Sequence, residues 1–432
     1  MSQQSTFIRS LNPIEQAFTI SNQAFPMQVV SVLHVSPIPS EETLAQALSI
    51  LQARHELLRA GIRGMAFQGL VPETPIPLIV APRPDDGSWE AWAQKALNAP
   101  FDQGGPLMKC TLVSDELSDR GEMILSFHHA IIDGNSARLL LHELLSILGK
   151  EALPAPERLE TEPIFPTDFR GWKLGKNLAA FMGRQAREEW QYRKVGLKSP
   201  IPTDAQNAII SITLPQDVSR RLTWKIGKLG LSLNSYLLSE IALATIRHRH
   251  QLKKASKARL ISFADLRSGL VPAVSRNPLG CYVSMLRASV PIASLANSTE
   301  LARNIRRAMF KAGRNGEPFI MSWMSRYLMK FVLKARNMRL GVVALSFIGK
   351  LDLQRHYGEI SLHNVNAYIT NNPMGPEIGV FGKILFGSIS LDFTYLPAET
   401  SHEQAQELVA EILQKLHEMA HSDLPEEVAT SN

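Results

Sequence analysis

Two adjacent histidines, followed by an aspartate four residues after the second and then a glycine, are the part of this sequence best suited to chemistry. They lie in Leu125-Ser126-Phe127-His128-His129-Ala130-Ile131-Ile132-Asp133-Gly134-Asn135-Ser136. A neutral imidazole, with an ordinary pKa of about 6.5, can take a proton from a hydroxyl or an amine and later return it to a leaving thiol. That chemistry needs one histidine, an acceptor and an activated acyl donor, with neither a metal nor a covalent enzyme intermediate. A carboxylate at Asp133 can fix either the loop or the tautomer of the histidine. Gly134 permits a backbone conformation or a close approach that a side chain would block.

The residues around the motif set its geometry. Segment 123–128 reads as a strand, and 135–148 places Leu140, Leu141, Leu144, Leu145 and Leu148 at helical spacing, with Gly149 ending the helix. Neighbouring side chains on a strand point to opposite faces, so one histidine should face a cleft and the other should support the structure. Asp133 falls at the turn before the helix, where a carboxylate suits the positive end of the helix dipole. A lone buried histidine is more often a packed core residue than a catalyst. The extended motif at a strand-to-helix junction is rarer and favours function. A metal site is disfavoured, because the two rings diverge and no third ligand stands at zinc-site spacing.

The rest of the chain alternates helices and strands in both halves. Asn12 and Pro13 suit a helix start, 27–35 a strand, and 41–53 a helix capped by Ser40. A strand is expected over 108–113, an exposed loop over 151–166 and a charged helix over 167–195. Pro200 and Pro202 mark 196–205 as a linker. In the second half, strands are expected over 208–214, 259–263, 341–346, 362–369, 375–381 and 388–395. Helices are expected over 218–229, 235–249 with Asn234 as cap, 298–314, 318–338 and 401–417. The fold class is therefore mixed α/β, with an N-terminal lobe over 1–195, a linker over 196–206 and a C-terminal lobe over 207–432.

Composition narrows the function further. The chain has 432 residues, 45% hydrophobic and 20% charged, which suits a globular protein of two domains. No run approaches the roughly 18 apolar residues that span a bilayer, and the N-terminus lacks the features of a signal peptide. Cys110 and Cys281 make no disulfide framework, so a reducing cytoplasm is the simplest compartment. The net charge of +6 is dispersed without interleaved aromatics, which argues against nucleic acid; it suits a phosphorylated cofactor or an acidic carrier protein, although an ordinary solvated surface is the commoner explanation for any single Lys or Arg. Two basic helices between Arg306 and Arg339 carry apolar Met and Phe, a pattern that also suits contact with a membrane surface, although a core helix with a solvated basic side is the commoner explanation.

The motif resembles that of the condensation-domain and CoA-dependent acyltransferase superfamily, and the resemblance covers nearly the whole chain. Arg54-His55-Glu56-Leu57-Leu58-Arg59, Phe101-Asp102 through Gly105-Pro106-Leu107, Ser232-Leu233-Asn234, Asp265-Leu266-Arg267 and Leu279-Gly280-Cys281 follow in the family's order. Taken alone, Arg54 to Arg59 reads as a helix C-terminus whose cations suit the dipole. The resemblance implies two chloramphenicol-acetyltransferase-like lobes in a V around a central tunnel. It implies that His129 is the general base, with His128 in support, that Asp133 is structural and pairs with Arg267, and that Gly134 lies near the developing oxyanion.

Two departures shape the functional expectation. No carrier, adenylation or thioesterase segment is attached, which suggests a free-standing monomer, and Val380-Phe381-Gly382-Lys383 is not the plant acyltransferase signature. Free-standing members with this motif most resemble polyketide-associated acyltransferases, which release a chain from a carrier protein onto an alcohol. The expected reaction is ester formation from an acyl-CoA or a phosphopantetheine-bound acyl chain on an acyl carrier protein, with no tightly bound cofactor. The alternatives are amide-forming condensation, a wax-ester-type lipid acyltransferase and a non-catalytic binding member.

Overall fold

The computed structural model of the chain describes residues 6–70, 73–83, 88–114, 119–159, 161–191, 193–195, 205–250, 256–291, 297–335 and 338–423. Two large sheets carry the architecture. The first has six strands in the order His356–Tyr357, Ile360–Ile369, Gln28–Ser36, Gly121–His128, Met108–Ser114 and Leu78–Pro82. The second runs Val283–Pro291, Ser256–Asp265, Val343–Lys350, Ile378–Leu385, Ser388–Tyr395 and Ala208–Thr213, with Arg193–Val195 beside Ser256–Asp265. A small third sheet joins Phe7–Ser10, Ala66–Gly69 and Ala60–Arg63.

Gln28–Ser36 shows why the first sheet forms. Its apolar residues alternate faces: Val29, Leu33 and Val35 enter the core beneath helices Glu41–Arg54 and Gly134–Leu148. Val30 and Val32 pack on the opposite side against Ala93 and Leu97 of helix Glu90–Asn98. A strand covered on both faces reads as a nearly continuous apolar run. In the second lobe, helix Leu233–Arg249 is buried along Tyr236 to Ile246, and helices Gln216–Lys228, Ser298–Arg314 and His402–His421 pack around it and the second sheet.

The halves of the chain exchange strands. Ile360–Ile369 pairs antiparallel with Gln28–Ser36, so the second half completes the first sheet, and Arg193–Val195 of the first half joins the second. A buried knot then ties sheet to sheet. Asp392 accepts hydrogen bonds from Lys383 Nζ (2.6 Å) and Ser211 Oγ (2.6 Å) of its own sheet. It also accepts from Asn366 Nδ2 (2.7 Å) and the Ala367 amide (2.9 Å) of the other. Of the linker expected over 196–206, residues 196–204 lie outside the described residues.

Several local expectations need correction. The helix expected over 167–195 is a short turn at Thr167–Phe169, a helix Gly171–Gln191 and a strand. Ser232, not Asn234, caps helix Leu233–Arg249, accepting from the Ser235 amide; Asn234 bonds Ser262 instead. Gly149 does end its helix, but with a φ of −76°. Its role is clearance, because a Cβ there would sit 2.4 Å from the Tyr357 carbonyl. Strands Phe7–Ser10, Ala66–Gly69, Leu78–Pro82 and Val283–Pro291 and helix Glu90–Asn98 were not anticipated. Val283–Pro291 is an edge strand whose apolar residues are interrupted by Ser284, Arg287 and Ser289, which blurs its period of two.

Candidate active site

His128 ends strand Gly121–His128, and His129 opens a single 3-10 turn, His129–Ile131. The change of backbone at that junction separates the two rings. His128 is fully buried; its Nδ1 accepts the Ala130 amide at 3.1 Å and its Nε2 lies 3.3 Å from the Gln103 amide nitrogen. Burial, helped by the neighbouring His129, pushes its pKa down to about 3, so the ring stays neutral. Its contacts are structural in kind: a turn amide, Gln103, and the edge of Phe101.

His129 stands differently. Its ring stacks on Phe18 of helix Pro13–Asn22 with centroids 4.2 Å apart, and it lines a cavity between the lobes. Nδ1 donates to the Ile132 carbonyl at 2.9 Å, which fixes the tautomer and leaves the Nε2 lone pair uncommitted. Burial holds its pKa below the ordinary value, while the backbone carbonyls and the Asp133 charge pull the other way. The ring is thus a neutral base, oriented by a carbonyl and an aromatic face.

Asp133 spends its oxygens elsewhere. Oδ1 caps the following helix through the Ser136 amide (3.0 Å) and meets Arg267 Nη2 (3.0 Å); Oδ2 accepts Arg267 Nη1 (2.6 Å) and the Tyr282 amide (2.9 Å). Arg267 also donates to Ser136 Oγ (3.1 Å) and lies over the Tyr282 ring, and Ser136 Oγ donates to the Gly280 carbonyl (2.8 Å). Burial opposes the guanidinium charge, but Asp133 more than compensates and holds its pKa above the usual value. This two-point ion pair joins the motif loop to the second lobe.

Gly134 starts helix Gly134–Leu148 and lines the cavity; a Cβ there would lie 2.9 Å from Ile348 Cγ2. Behind the motif, Arg54 and His55 do more than suit a helix dipole. Arg54 grips Glu143 with two bonds (2.8 and 3.0 Å), and His55 Nε2 meets the same carboxylate at 2.8 Å. Burial works against the Glu143 charge, but His55 and Arg54 outweigh it and bring the pKa to about 2. Reading the sequence missed this clamp on the motif helix, along with Phe18, Gln103 and Tyr282. The signal available was Glu143 itself, an acid inside a leucine stripe, which needs a cationic partner if buried.

The cavity has a volume of about 200 Å³, far above the roughly 10–15 Å³ that admits one water. Its walls come from helix Pro13–Asn22, the motif, both sheets, helix Glu317–Ala335 and the turn around Met374. Ser31 lines it with a buried hydroxyl that has no partner among the described residues. Among the described residues, no three His, Cys, Asp or Glu side chains are placed to share a metal ion. No single helix among them is long and apolar enough to cross a membrane.

Two sheet-and-helix lobes, with a histidine motif at the cavity between them, define a chloramphenicol-acetyltransferase-like fold. The Condensation domain family model matches residues 16–319, and the chain belongs to that family. One of the linear gramicidin synthase proteins of Brevibacillus parabrevis is 27% identical over 305 residues, 65% of this chain but 6% of that protein, so the chain spans a small fraction of its curated relative's length. Among solved structures, trichothecene 15-O-acetyltransferase TRI3 of Fusarium sporotrichioides superposes with a TM-score of 0.74 at 12% identity, covering 97% of both chains. Polyketide synthase associated protein 5 of Mycobacterium tuberculosis gives 0.70 at 14% identity, covering 97% of this chain and 99% of that one. The first condensation domain of the CDA synthetase gives 0.71 at 15% identity over 97% of each. Identities this low speak for the fold alone.

Proposed function

We propose that this chain transfers an acyl group from a thioester, carried by CoA or by the phosphopantetheine arm of a carrier protein, to a hydroxyl, forming an ester. The observation that carries the reading is His129. Its Nδ1–H is held by the Ile132 carbonyl, its ring is clamped on Phe18, and its remaining lone pair belongs to a residue lining a substrate-sized cavity. His129 takes the proton of the acceptor hydroxyl as oxygen attacks the thioester carbonyl, and returns it to the departing sulfur. The oxyanion forms near Gly134, where the start of a helix offers backbone amides and a positive dipole end. Each well-placed donor there is worth roughly 3–4 kcal/mol of barrier. Asp133 and Arg267 position the motif without touching the reacting atoms.

Amide formation is the second reading, favoured by the sequence match to a linear gramicidin synthase. Intact-mass analysis of acyl-loaded carrier proteins and acyl-CoAs, incubated with the chain and matched panels of alcohols and amines, decides between them. Deacylation that depends on an alcohol and yields an ester supports the first reading. Transfer to amines alone overturns it in favour of the second, and no transfer to either overturns both.

A further inference from the structure

The cavity beyond His129 is shaped by two rows of small residues facing each other across the gap between the sheets. On the first sheet Ser31 and Ala367 are cross-strand neighbours; on the second, Ala344, Gly379 and Thr394 form one rung. All five line the cavity. A Cβ at Gly379 would meet only the Thr394 carbonyl at 3.7 Å, an ordinary contact, so this glycine supplies room and relieves no crowding. Gly382 on the same strand is different: a Cβ there would strike Phe347 at 2.7 Å.

Helix Glu317–Ala335 covers the rows with Met321, Leu328, Met329 and Val332, which lie on one helical face and line the cavity. Met27, Met285 and Met374 add further thioethers to the wall. Methionine is unbranched and adapts its shape to a guest. Apart from His129, the one ionisable side chain on the wall among the described residues is Asp133, and Arg267 holds it. A charged tail would lose its water here and gain no partner, whereas an alkyl tail loses only contact with water.

We propose that this cavity is a chain-measuring pocket, in which an unbranched alkyl chain lies with its reacting end at His129 and its tail beside Gly379. The chain belongs to the acyl donor or to the alcohol; which end reacts rests on the acyl-transfer reading above, but binding does not.

The test titrates two homologous series, straight-chain fatty acids and primary alcohols, into the full chain by calorimetry. Affinity should rise roughly fourfold per added methylene until the pocket is full, then level off. Gly379→Leu should move the plateau to shorter chains and leave the shortest members unaffected. Gly379→Ala, whose methyl meets only ordinary contacts, should shift the plateau less and keeps the test open if the leucine variant fails to fold. No dependence on chain length in the natural protein, or equal weakening of every member by both Gly379 variants, overturns the proposal. Turnover with thioesters and alcohols of graded length then identifies which reactant carries the tail. If the binding series behaves as described and no thioester reacts, the reaction reading fails while the pocket stands. If transfer occurs but ignores both length and Gly379, the pocket fails while the reaction stands.

Discussion

The cavity wall at His129 and the ion-pair knot at Asp133 are four residues apart in sequence and are built in opposite ways. At His129 every contact orients the ring, and one nitrogen is left over. At Asp133 nothing is left over: two guanidinium bonds, a helix amide and the Tyr282 amide use both carboxylate oxygens. Reactivity needs an unspent group, whereas cohesion needs spent ones. The two regions should therefore answer mutation in opposite currencies, His129 in rate and Asp133 in stability.

The largest expected effect tests the first half of that contrast. His129→Ala should lower kcat/KM by about 10²–10⁴-fold, the usual worth of a positioned general base. The midpoint of thermal unfolding should stay near that of the natural protein, because a ring on a cavity wall leaves mainly space behind. Turnover and calorimetric unfolding on the same preparation check it; near-normal turnover in a folded variant would end the assignment.

The second prediction concerns the knot. Asp133→Ala or Arg267→Ala strands a buried charge and should cost about 3–5 kcal/mol, seen as lost soluble protein or a lower denaturation midpoint. The double variant should be less unstable than the two single losses combined, since neither charge is left alone. Arg267→Lys keeps the charge but loses the fork, and should fall between. A stable Asp133→Ala protein with a purely kinetic defect would erase the contrast between the two regions.

What the sequence made legible follows the same division. The motif, its strand and its leucine helix could be read because each depends on residues within about one turn or one rung. His129 could be separated from His128 only in principle, because the break from strand to 3-10 turn decides which ring meets the cavity. Arg267 lies 134 residues from Asp133, and nothing local about either announces the pair; it came from resemblance. Phe18, Tyr282 and Gly379 were invisible for the same reason, since each acts through a tertiary neighbour. Arg54 and His55 were read as cations for a helix end, a local account that the contact with Glu143 replaces. Short strands such as Ala66–Gly69 escaped because so few residues carry too little pattern.

Acid should sharpen the comparison between the two histidines. His128 is neutral when folded, with a pKa near 3 against 6.5 for a free ring, so the unfolded chain binds a proton that the folded chain refuses. Stability from this group is complete above pH 6.5 and falls as the pH drops toward 3, by at most about 1.4 kcal/mol per pH unit. In His128→Asn the amide oxygen can still accept the Ala130 amide and nothing titrates. Chemical denaturation at about pH 7 and about pH 5 should show the variant losing less stability than the natural protein over that step. For His129 the same direction of shift predicts an acid limb of kcat/KM below the ordinary imidazole value. A limb at or above it would mean that the ring is better solvated than its stacking on Phe18 allows.

The smallest effect falls at the seam between the two regions. Gly134 follows the knot directly and also lines the cavity, and its helical φ needs no glycine, so any cost of Gly134→Ala is one of space. The added methyl would stand 2.9 Å from Ile348 Cγ2, a branch methyl bonded to the Cβ of a partly buried side chain, so that one side chain or the helix start must shift to admit it. Stability should therefore fall by about 1–2 kcal/mol, in the lower part of the range for overpacking, since a single side chain and no backbone stands in the way. Turnover should fall several-fold, because the methyl occupies space beside the helix amides assigned to the oxyanion. Gly149→Ala is the control: its methyl would meet the Tyr357 backbone at 2.4 Å, where nothing can yield cheaply, so it should lose more stability than Gly134→Ala. If instead Gly134→Ala destabilises as much as Gly149→Ala while turnover per folded molecule is kept, Gly134 belongs with the knot and the boundary of the reactive region must be drawn closer to His129.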